Sequence, residues 1–212
     1  VKHMNIAVLV SGNGSNLQAL IDAEKSGALS GGRIVLVVSD NARAFALKRA
    51  EKSGIKTFIL EKEQFNSREE YDEVLMETLK ADKIELVVLA GFMRILSGGF
   101  IDAYENRVLN IHPALLPSFK GKDGIKDAFK SGVKVTGVTV HFVEHELDSG
   151  PVILQRSVPI SAEDTLGSLE EKIHAAEHKL YPEAIRLFVE GRLKIEERTV
   201  KIKEERRDVN KN

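Results

Sequence analysis

Ile6-Ala7-Val8-Leu9-Val10-Ser11-Gly12-Asn13-Gly14-Ser15-Asn16-Leu17 decides the fold. Ile6–Val10 is a short apolar run that reads as a strand, and a glycine-rich polar turn follows it. Leu17, Leu20 and Ile21 then take up the i, i+3, i+4 spacing of a buried helix face. Outward from this unit the alternation repeats. Ile34–Val38, Thr57–Leu60, Leu86–Ala90 and Val108–Ile111 read as strands, and the stretches near 15–27, 42–53 and 67–81 read as helices. Near-continuously apolar strands joined through helices predict an α/β fold: a mostly parallel, twisted sheet with helices on both faces, Rossmann-like in its N-terminal half. Ligands of such sheets bind beyond the carboxyl ends of the strands.

The second half changes character. Val135–Val143 alternates, with Val138, Val140 and Phe142 on one face, and Val152–Val158 follows an acidic turn, so a strand pair is expected. A long helix is expected from Leu166 to Glu190, striped by Leu166, Leu169, Ile173, Ala176 and Leu180 and bent at Pro182. From Glu196 the chain is mostly charged and is expected to fray. The organisation predicted is a single domain over 4–195, a charged tail over 196–212, and a cloning remnant over 1–3 with Met4 as the native start.

The 212 residues suffice for a substantial core, and 42% hydrophobic with 30% charged residues is the balance of a globular rather than a disordered chain. A net charge of −1 offers no basic field for nucleic acid or a membrane surface, so any anionic ligand must be met by local donors. The absence of cysteine excludes disulfides, thiolate catalysis and cysteine-ligated zinc. No apolar run approaches the roughly 18–20 residues of a membrane span, and no signal peptide is visible. A soluble, cytoplasmic protein with small-molecule partners is expected.

Four segments carry chemistry. In Ser11–Asn16 the glycines permit close approach to a ligand, and a helix start following them favours an anion such as phosphate. Leu17 stands where a dinucleotide fingerprint would need its third glycine, and Asp40 alone is a weak match to a ribose-binding acid. A tight turn with a cap is the plainer alternative. In Asn110-Ile111-His112-Pro113, residues two apart on a strand point to one side, so Asn110 and His112 enter the same site. With Asp148, in Leu147-Asp148-Ser149-Gly150-Pro151, they supply an amide donor, an imidazole and a carboxylate, suited to stabilising an oxyanion and moving a proton. A structural polar cluster is the competing interpretation. Gly91-Phe92-Met93-Arg94-Ile95-Leu96, after the fourth strand, is either a plain loop or a flat apolar wall for a heteroaromatic ligand. His174-Ala175-Ala176-Glu177-His178 spells H-x-x-E-H, the inverted zincin pattern. Zinc would need a third protein ligand, and the tail downstream offers little, so a polar helix face competes with metal. His141 reads as a half-buried strand residue, and His145 as a loop residue.

Taken together, Ser11–Leu17, Ala90–Leu96, Asn110–Pro117 and Gly137–Gly150 resemble, in order, the motifs of the folate-dependent formyltransferases, and among them the phosphoribosylglycinamide formyltransferases of purine biosynthesis. The resemblance runs from about Met4 to Ile195. It implies a formyltransferase fold of about seven strands, 10-formyltetrahydrofolate as co-substrate, and no metal. It further implies that Gly14, Ser15 and Asn16 hold the substrate phosphate, and that Glu177, with His174, Ala175 and Ala176 beside it, contacts glycinamide ribonucleotide. Arg68 resembles a folate-contacting arginine. Met93, Arg94, Ile95 and Leu96 resemble one wall of the pterin pocket, with Asn110 at its end and Glu144, His145, Glu146, Leu147 and Asp148 closing the other side. Asn110, His112 and Asp148 match the catalytic trio: two donors to the formyl oxygen, and a carboxylate that orients His112 and relays a proton. Ser118–Gly124 departs from the commonest pattern by lacking a histidine, and Ala114 replaces a frequent serine; variation in a mobile surface loop is expected there. Family analogy makes the Leu116–Pro117 bond cis.

The nearest rival is formyltetrahydrofolate deformylase, in which the same trio would serve water; an extra N-terminal domain is expected of it, and the phosphate turn speaks for a phosphorylated acceptor instead. A tRNA formyltransferase would need a further basic domain. A nucleotide-binding regulatory protein would leave the trio unexplained, and a zinc peptidase would need a metal. A monomer or a homodimer is expected.

Overall fold

Strand β1 (Met4–Val10) is apolar on both sides, and the fold uses both. Ile6, Val8 and Val10 enter one core, while Ala7 and Leu9 enter another on the opposite face of the sheet. The computed structural model, which describes residues 3–204, flanks β1 with β2 (Gly32–Ser39) on one side and β4 (Leu86–Leu89) on the other, both parallel to it. Outside these lie β3 (Lys56–Ile59) and β5 (Val108–His112), again parallel. Helices α1 (Ser15–Lys25) and α2 (Phe45–Lys52) pack with α6 (Leu166–Val189) on the first face. Helices α3 (Arg68–Ala81) and α4 (Gly98–Ala103) cover the second. Each fully buried aliphatic side chain contributes about 1.5–3 kcal/mol, so two cores sharing one sheet hold it rigid.

The chain leaves β1 toward β2 and later returns on its other side to β4. A crevice therefore opens beyond the carboxyl ends of β1 and β4, where ligands of open α/β sheets bind. The sheet then turns antiparallel. Strand β6 (Val135–Phe142) pairs with β5 so that Asn110 lies opposite His141 and His112 opposite Thr139. Helix α5 (Gly124–Ser131) precedes it, and β7 (Val152–Pro159) continues the antiparallel pairing. The order is β3-β2-β1-β4-β5-β6-β7-β9-β8, with β8 (Leu193–Glu196) and β9 (Thr199–Ile202) as a terminal hairpin.

Three expectations need correction. The sheet has nine strands among the described residues rather than about seven, because the chain does not fray at Glu196. Ile195 pairs with Val200, and Thr199 joins β7 at Val152, so alternating apolar residues inside a charged sequence suffice for a hairpin at the sheet edge. The tail beyond Glu204 lies outside the described residues. Helices α4 and α5 have no counterpart in the sequence reading, being short segments rich in glycine or lysine whose apolar faces span barely two turns. The helix α6 runs from Leu166 to Val189 with Pro182 inside it, close to the expected bounds, and its start is secured by a capping box between Thr165 and Ser168.

Candidate active site

The turn after β1 is built to present bare backbone. Gly14 caps α1 with φ +76 and contributes no side-chain hydrogen bond, so no protein group covers the first N–H donors of the helix. The turn is held from behind by α2. The Ala46 N–H donates to the Gly12 carbonyl at 3.1 Å. The Arg49 guanidinium donates to the Asn13 carbonyl and to Asn13 Oδ1, both at 2.9 Å, and to Gln18 Oε1 at 3.3 Å. The result is a braced turn whose open helix start is the kind of place that favours an anion.

Facing this seat across the crevice is one side of α6. Glu177 is buried, and its Oε2 accepts from Asn16 Nδ2 at 3.1 Å and from His174 Nδ1 at 2.9 Å. The hydrogen bond to Glu177 holds the His174 pKa above its ordinary value against partial burial, whereas burial pushes that of His178 down. The His178 ring stacks on His174 with centroids 6.4 Å apart, and its buried Nε2 has no partner. The carboxylate of the H-x-x-E-H sequence is thus committed to Asn16 and His174. Among the described residues no group of three or more potential ligands is arranged to hold a metal ion.

At the end of β5 the strand register does the assembling. Asn110 and His112 leave the same side, and the turn through Asp148 brings a carboxylate back to them. Asp148 adopts φ +49, in the left-handed region that aspartate tolerates better than most residues. Gly150, next to it, has no room for a side chain: a Cβ there would lie 1.8 Å from the Phe142 carbonyl oxygen. Asp148 Oδ2 is 3.5 Å from His112 Nδ1 and accepts the Gly121 N–H at 2.8 Å. His112 Nε2 donates to the Phe119 carbonyl at 2.7 Å, so each ring nitrogen faces an oxygen. His112 and Asp148 are both buried.

A fourth polar residue belongs to this group. His141 is only 2% exposed, and burial pushes its pKa down despite the nearby Asp148 carboxylate. In its neutral form Nδ1 donates to the Phe142 carbonyl at 2.7 Å, which leaves Nε2 to accept from Asn110 Nδ2 at 3.3 Å. That contact orients the Asn110 amide and leaves its second N–H free to donate. At 3.8 Å the approach of His141 Nε2 to Asp148 is too long for a hydrogen bond, so the contact with Asn110 decides the ring's role. The sequence reading treated His141 as a structural strand residue. A signal for it did exist: Thr139 and His141 are the polar residues of β6 that pair with His112 and Asn110.

The remaining wall is apolar. Met93 and Ile95 are exposed, Phe92 and Leu96 are buried, and Leu147 faces them from the loop before Asp148. The wall is anchored to the first turn, where the Met93 N–H donates to Ser11 Oγ at 2.8 Å. One cavity of about 920 Å³ joins all these parts: Gly14–Asn16, Met93–Leu96, Asn110, His112, Glu144–Asp148, and His174 with Glu177 and His178.

Of the expected site residues, Arg68, Ala175 and Ala176 do not line this cavity. Arg68 opens α3 on the exposed surface. Ala176 is buried in the core and Ala175 faces solvent, because at about 100° per residue positions 174, 177 and 178, like Leu166 and Glu170 before them, share the side of α6 that lines the cavity and 175 and 176 do not. Asp40 also lies outside the cavity, with Oδ1 buried and unpartnered. The segment 118–124, expected as a surface loop, is exposed at Ser118, Lys120, Lys122 and Asp123 and also contacts the trio through Phe119 and Gly121. The Leu116–Pro117 bond is cis, as family analogy implied.

A family model described as formyl transferase matches residues 4–185. The chain belongs to the formyl transferase family. Phosphoribosylglycinamide formyltransferase of Escherichia coli (strain K12) is 47% identical over 194 residues, covering 92% of this chain and 91% of that protein. The trifunctional purine biosynthetic protein adenosine-3 of Gallus gallus is 45% identical over 194 residues, and there this formyl transferase spans only 19% of its relative's length. A crystal structure of glycinamide ribonucleotide transformylase 1 from Symbiobacterium toebii superposes with a TM-score of 0.93 at 46% identity, covering 95% of each chain. The nine-stranded α/β architecture is thus that of a formyl transferase, and the chain is a formyltransferase by family.

Proposed function

We propose that this formyltransferase moves the formyl group of 10-formyltetrahydrofolate to the amine of N1-(5-phospho-D-ribosyl)glycinamide, giving formylglycinamide ribonucleotide and tetrahydrofolate, a step of de novo purine synthesis. One observation carries the reading. A single cavity connects an uncapped helix N-terminus, suited to a phosphate, with an apolar wall suited to a pterin, and Asn110, His112 and Asp148 line the same cavity. A hydrolase acting on the same donor would have no use for the phosphate seat or for Glu177 opposite it.

The amine attacks the formyl carbon, and the carbonyl electron pair moves onto oxygen. Asn110 donates its second N–H to that oxygen while His141 holds the first. His112 is the other donor; its Nε2–H lies on the Phe119 carbonyl in this structure, so that contact is exchanged for the formyl oxygen when the donor binds. Each such donor is worth about 3–4 kcal/mol of barrier. Asp148 orients the ring and takes the proton lost by the attacking nitrogen, directly or through water. Collapse re-forms the carbonyl, breaks the bond to N10 of the folate and leaves that nitrogen to take up a proton. The chemistry proceeds through protein donors and one carboxylate, without a metal step.

The reading carries with it a cytoplasmic enzyme of small-molecule substrates, working as a monomer or homodimer; no helix among the described residues is long and apolar enough to cross a membrane. The test supplies 10-formyltetrahydrofolate with and without glycinamide ribonucleotide and follows tetrahydrofolate release. Release is expected to require the acceptor, and His112→Ala or Asp148→Ala is expected to slow turnover by at least ~10²-fold with little change in KM. Release that ignores the acceptor would overturn the transferase reading, and near-normal turnover in either variant would overturn the trio.

A further inference from the structure

Helix α3 takes no part in the cavity wall, yet two adjacent residues on it hold the segment that does. Tyr71 is completely buried, and the Arg94 guanidinium carbon lies over its ring, 3.9 Å from the centroid. Phe65 closes the ring's edge at 5.3 Å. The Tyr71 hydroxyl has no hydrogen-bond partner although it is buried, so the aromatic face, not the phenol, is what this position supplies. Asp72 is 1% exposed, and its carboxylate accepts the Ser97 N–H at 2.5 Å. Ser97 closes the segment and caps α4, where its Oγ accepts the Phe100 N–H at 3.2 Å.

A buried carboxylate is costly, and burial pushes the Asp72 pKa up against the opposing pull of Ser97, Arg94 and Arg68. Arg94 stands close enough to feel that charge but forms no ion pair with it: its contact is the ring of Tyr71. A guanidinium stacked on an aromatic face is fixed in orientation and keeps its five N–H donors for something else. The segment Met93–Ser97 is therefore pinned at its start by Ser11, in its middle by Tyr71 and at its end by Asp72.

We propose that Tyr71 and Asp72 are positioning residues for the formyl donor, acting through Arg94 and Ser97 to hold the apolar wall in its binding geometry with the Arg94 donors facing the ligand. The inference rests on the assignment of that wall to 10-formyltetrahydrofolate, and the control is Arg94→Ala, which is expected to raise the donor KM by ~10-fold. Tyr71→Met keeps the core volume and removes the ring; Arg94→Lys keeps the charge and removes the planar stack, on a half-exposed residue whose exchange leaves the core untouched. Both are expected to raise the donor KM about 5–10-fold while kcat at saturating donor and the acceptor KM stay within about twofold of the parent. Tyr71→Phe, which retains the ring, is expected to match the parent. Asp72→Ala is expected to behave like Tyr71→Met, and Asp72→Asn, which keeps an acceptor for Ser97, to restore most of the donor affinity. If Arg94→Ala raises the donor KM but Arg94→Lys and Tyr71→Met leave it unchanged, the positioning role is wrong and the site stands. If Arg94→Ala itself leaves the donor KM unchanged, the wall is not the donor site and both assignments fall.

Discussion

Replacing Gly14 by alanine tests the phosphate seat where its geometry is tightest. Gly14 has φ +76, and a Cβ built on it would lie 2.6 Å from Ala46 Cβ and 2.8 Å from Ala46 Cα. Two costs follow. Placing an L side chain in the left-handed region costs about 1–2 kcal/mol. Forcing a methyl group against the fully buried Ala46 costs about 1–3 kcal/mol more, because overpacked contacts relax only by moving backbone. Stiffening of the unfolded chain returns about 0.4–1 kcal/mol. The expected net loss is about 3 kcal/mol, read as a lower urea midpoint at unchanged slope. Since Ala46 also donates to the Gly12 carbonyl, relief of the clash tilts the α1 start, and the KM for glycinamide ribonucleotide is expected to rise by ~10-fold or more while the donor KM stays within about twofold. Ala46→Gly costs about 1 kcal/mol alone as a helix glycine, but combined with Gly14→Ala it removes the methyl–methyl contact. A favourable coupling of about 1–2 kcal/mol is therefore expected in the double-mutant cycle. Strict additivity would show that the methyl–methyl contact contributes nothing, leaving φ and the approach to Ala46 Cα to explain the loss. Parental stability and acceptor KM in Gly14→Ala would refute the rigid seat itself.

Arg49→Ala removes two hydrogen bonds to Asn13 of the turn and one to Gln18 of α1 and is expected to raise the acceptor KM about 5-fold; Arg49→Lys, which cannot reach Asn13 and Gln18 at once, should not rescue it in a steady-state assay. Glu177→Gln is expected to lower the His174 pKa in an NMR titration of the ring protons. The raised pKa means that the Glu177 contact supports the fold fully below the unfolded value near ~6.5 and loses that support as pH rises through the folded value, so the variant should also flatten stability across that window; an unchanged titration curve would count against the contact. Tyr181→Phe deletes a buried hydroxyl lying 2.7 Å from the Leu89 carbonyl and 3.0 Å from that of Leu109, and is expected to cost about 1–2 kcal/mol in urea unfolding.

What the sequence showed plainly was whatever depends on periodicity. The strands Ile6–Val10 through Val108–Ile111, the face of Leu17, Leu20 and Ile21, and the pairing of Asn110 with His112 all follow from spacings of two or of three and four. What it hid depends on register and on contacts distant in the chain. His141 enters the site only because β6 runs antiparallel to β5 with His141 opposite Asn110. Tyr71 and Asp72 matter only because α3 packs beneath the segment that follows β4, and nothing in Tyr71-Asp72 itself reports that Arg94 lies above it. The terminal hairpin was hidden for another reason. Its strands are four residues long and carry lysine and glutamate, so composition spoke for a solvated tail while pairing at the sheet edge overrode it.

The choice between an amine acceptor and water is made outside the trio. In the proposed reaction Asn110, His112 and Asp148 polarise a formyl oxygen and accept a proton, and that chemistry is indifferent to which nucleophile attacks. His141 sharpens the donor geometry without changing this, since it orients an amide and holds no substrate-shaped surface of its own. Selection instead follows from what stands opposite the formyl carbon. There Asn16 from the phosphate turn and Glu177 from α6 are tied by a 3.1 Å hydrogen bond, so one contact couples the seat for a phosphate to the wall beside it. A water molecule gains nothing from that arrangement. An amine tethered to a phosphate gains orientation, and orienting a nucleophile can lower a barrier by about 7–11 kcal/mol, more than either oxyanion donor supplies. On the proposed reading acceptor specificity is therefore a property of the β1–α1 turn and of the one side of α6 that reaches it, and the trio is the part that could be shared with a hydrolase.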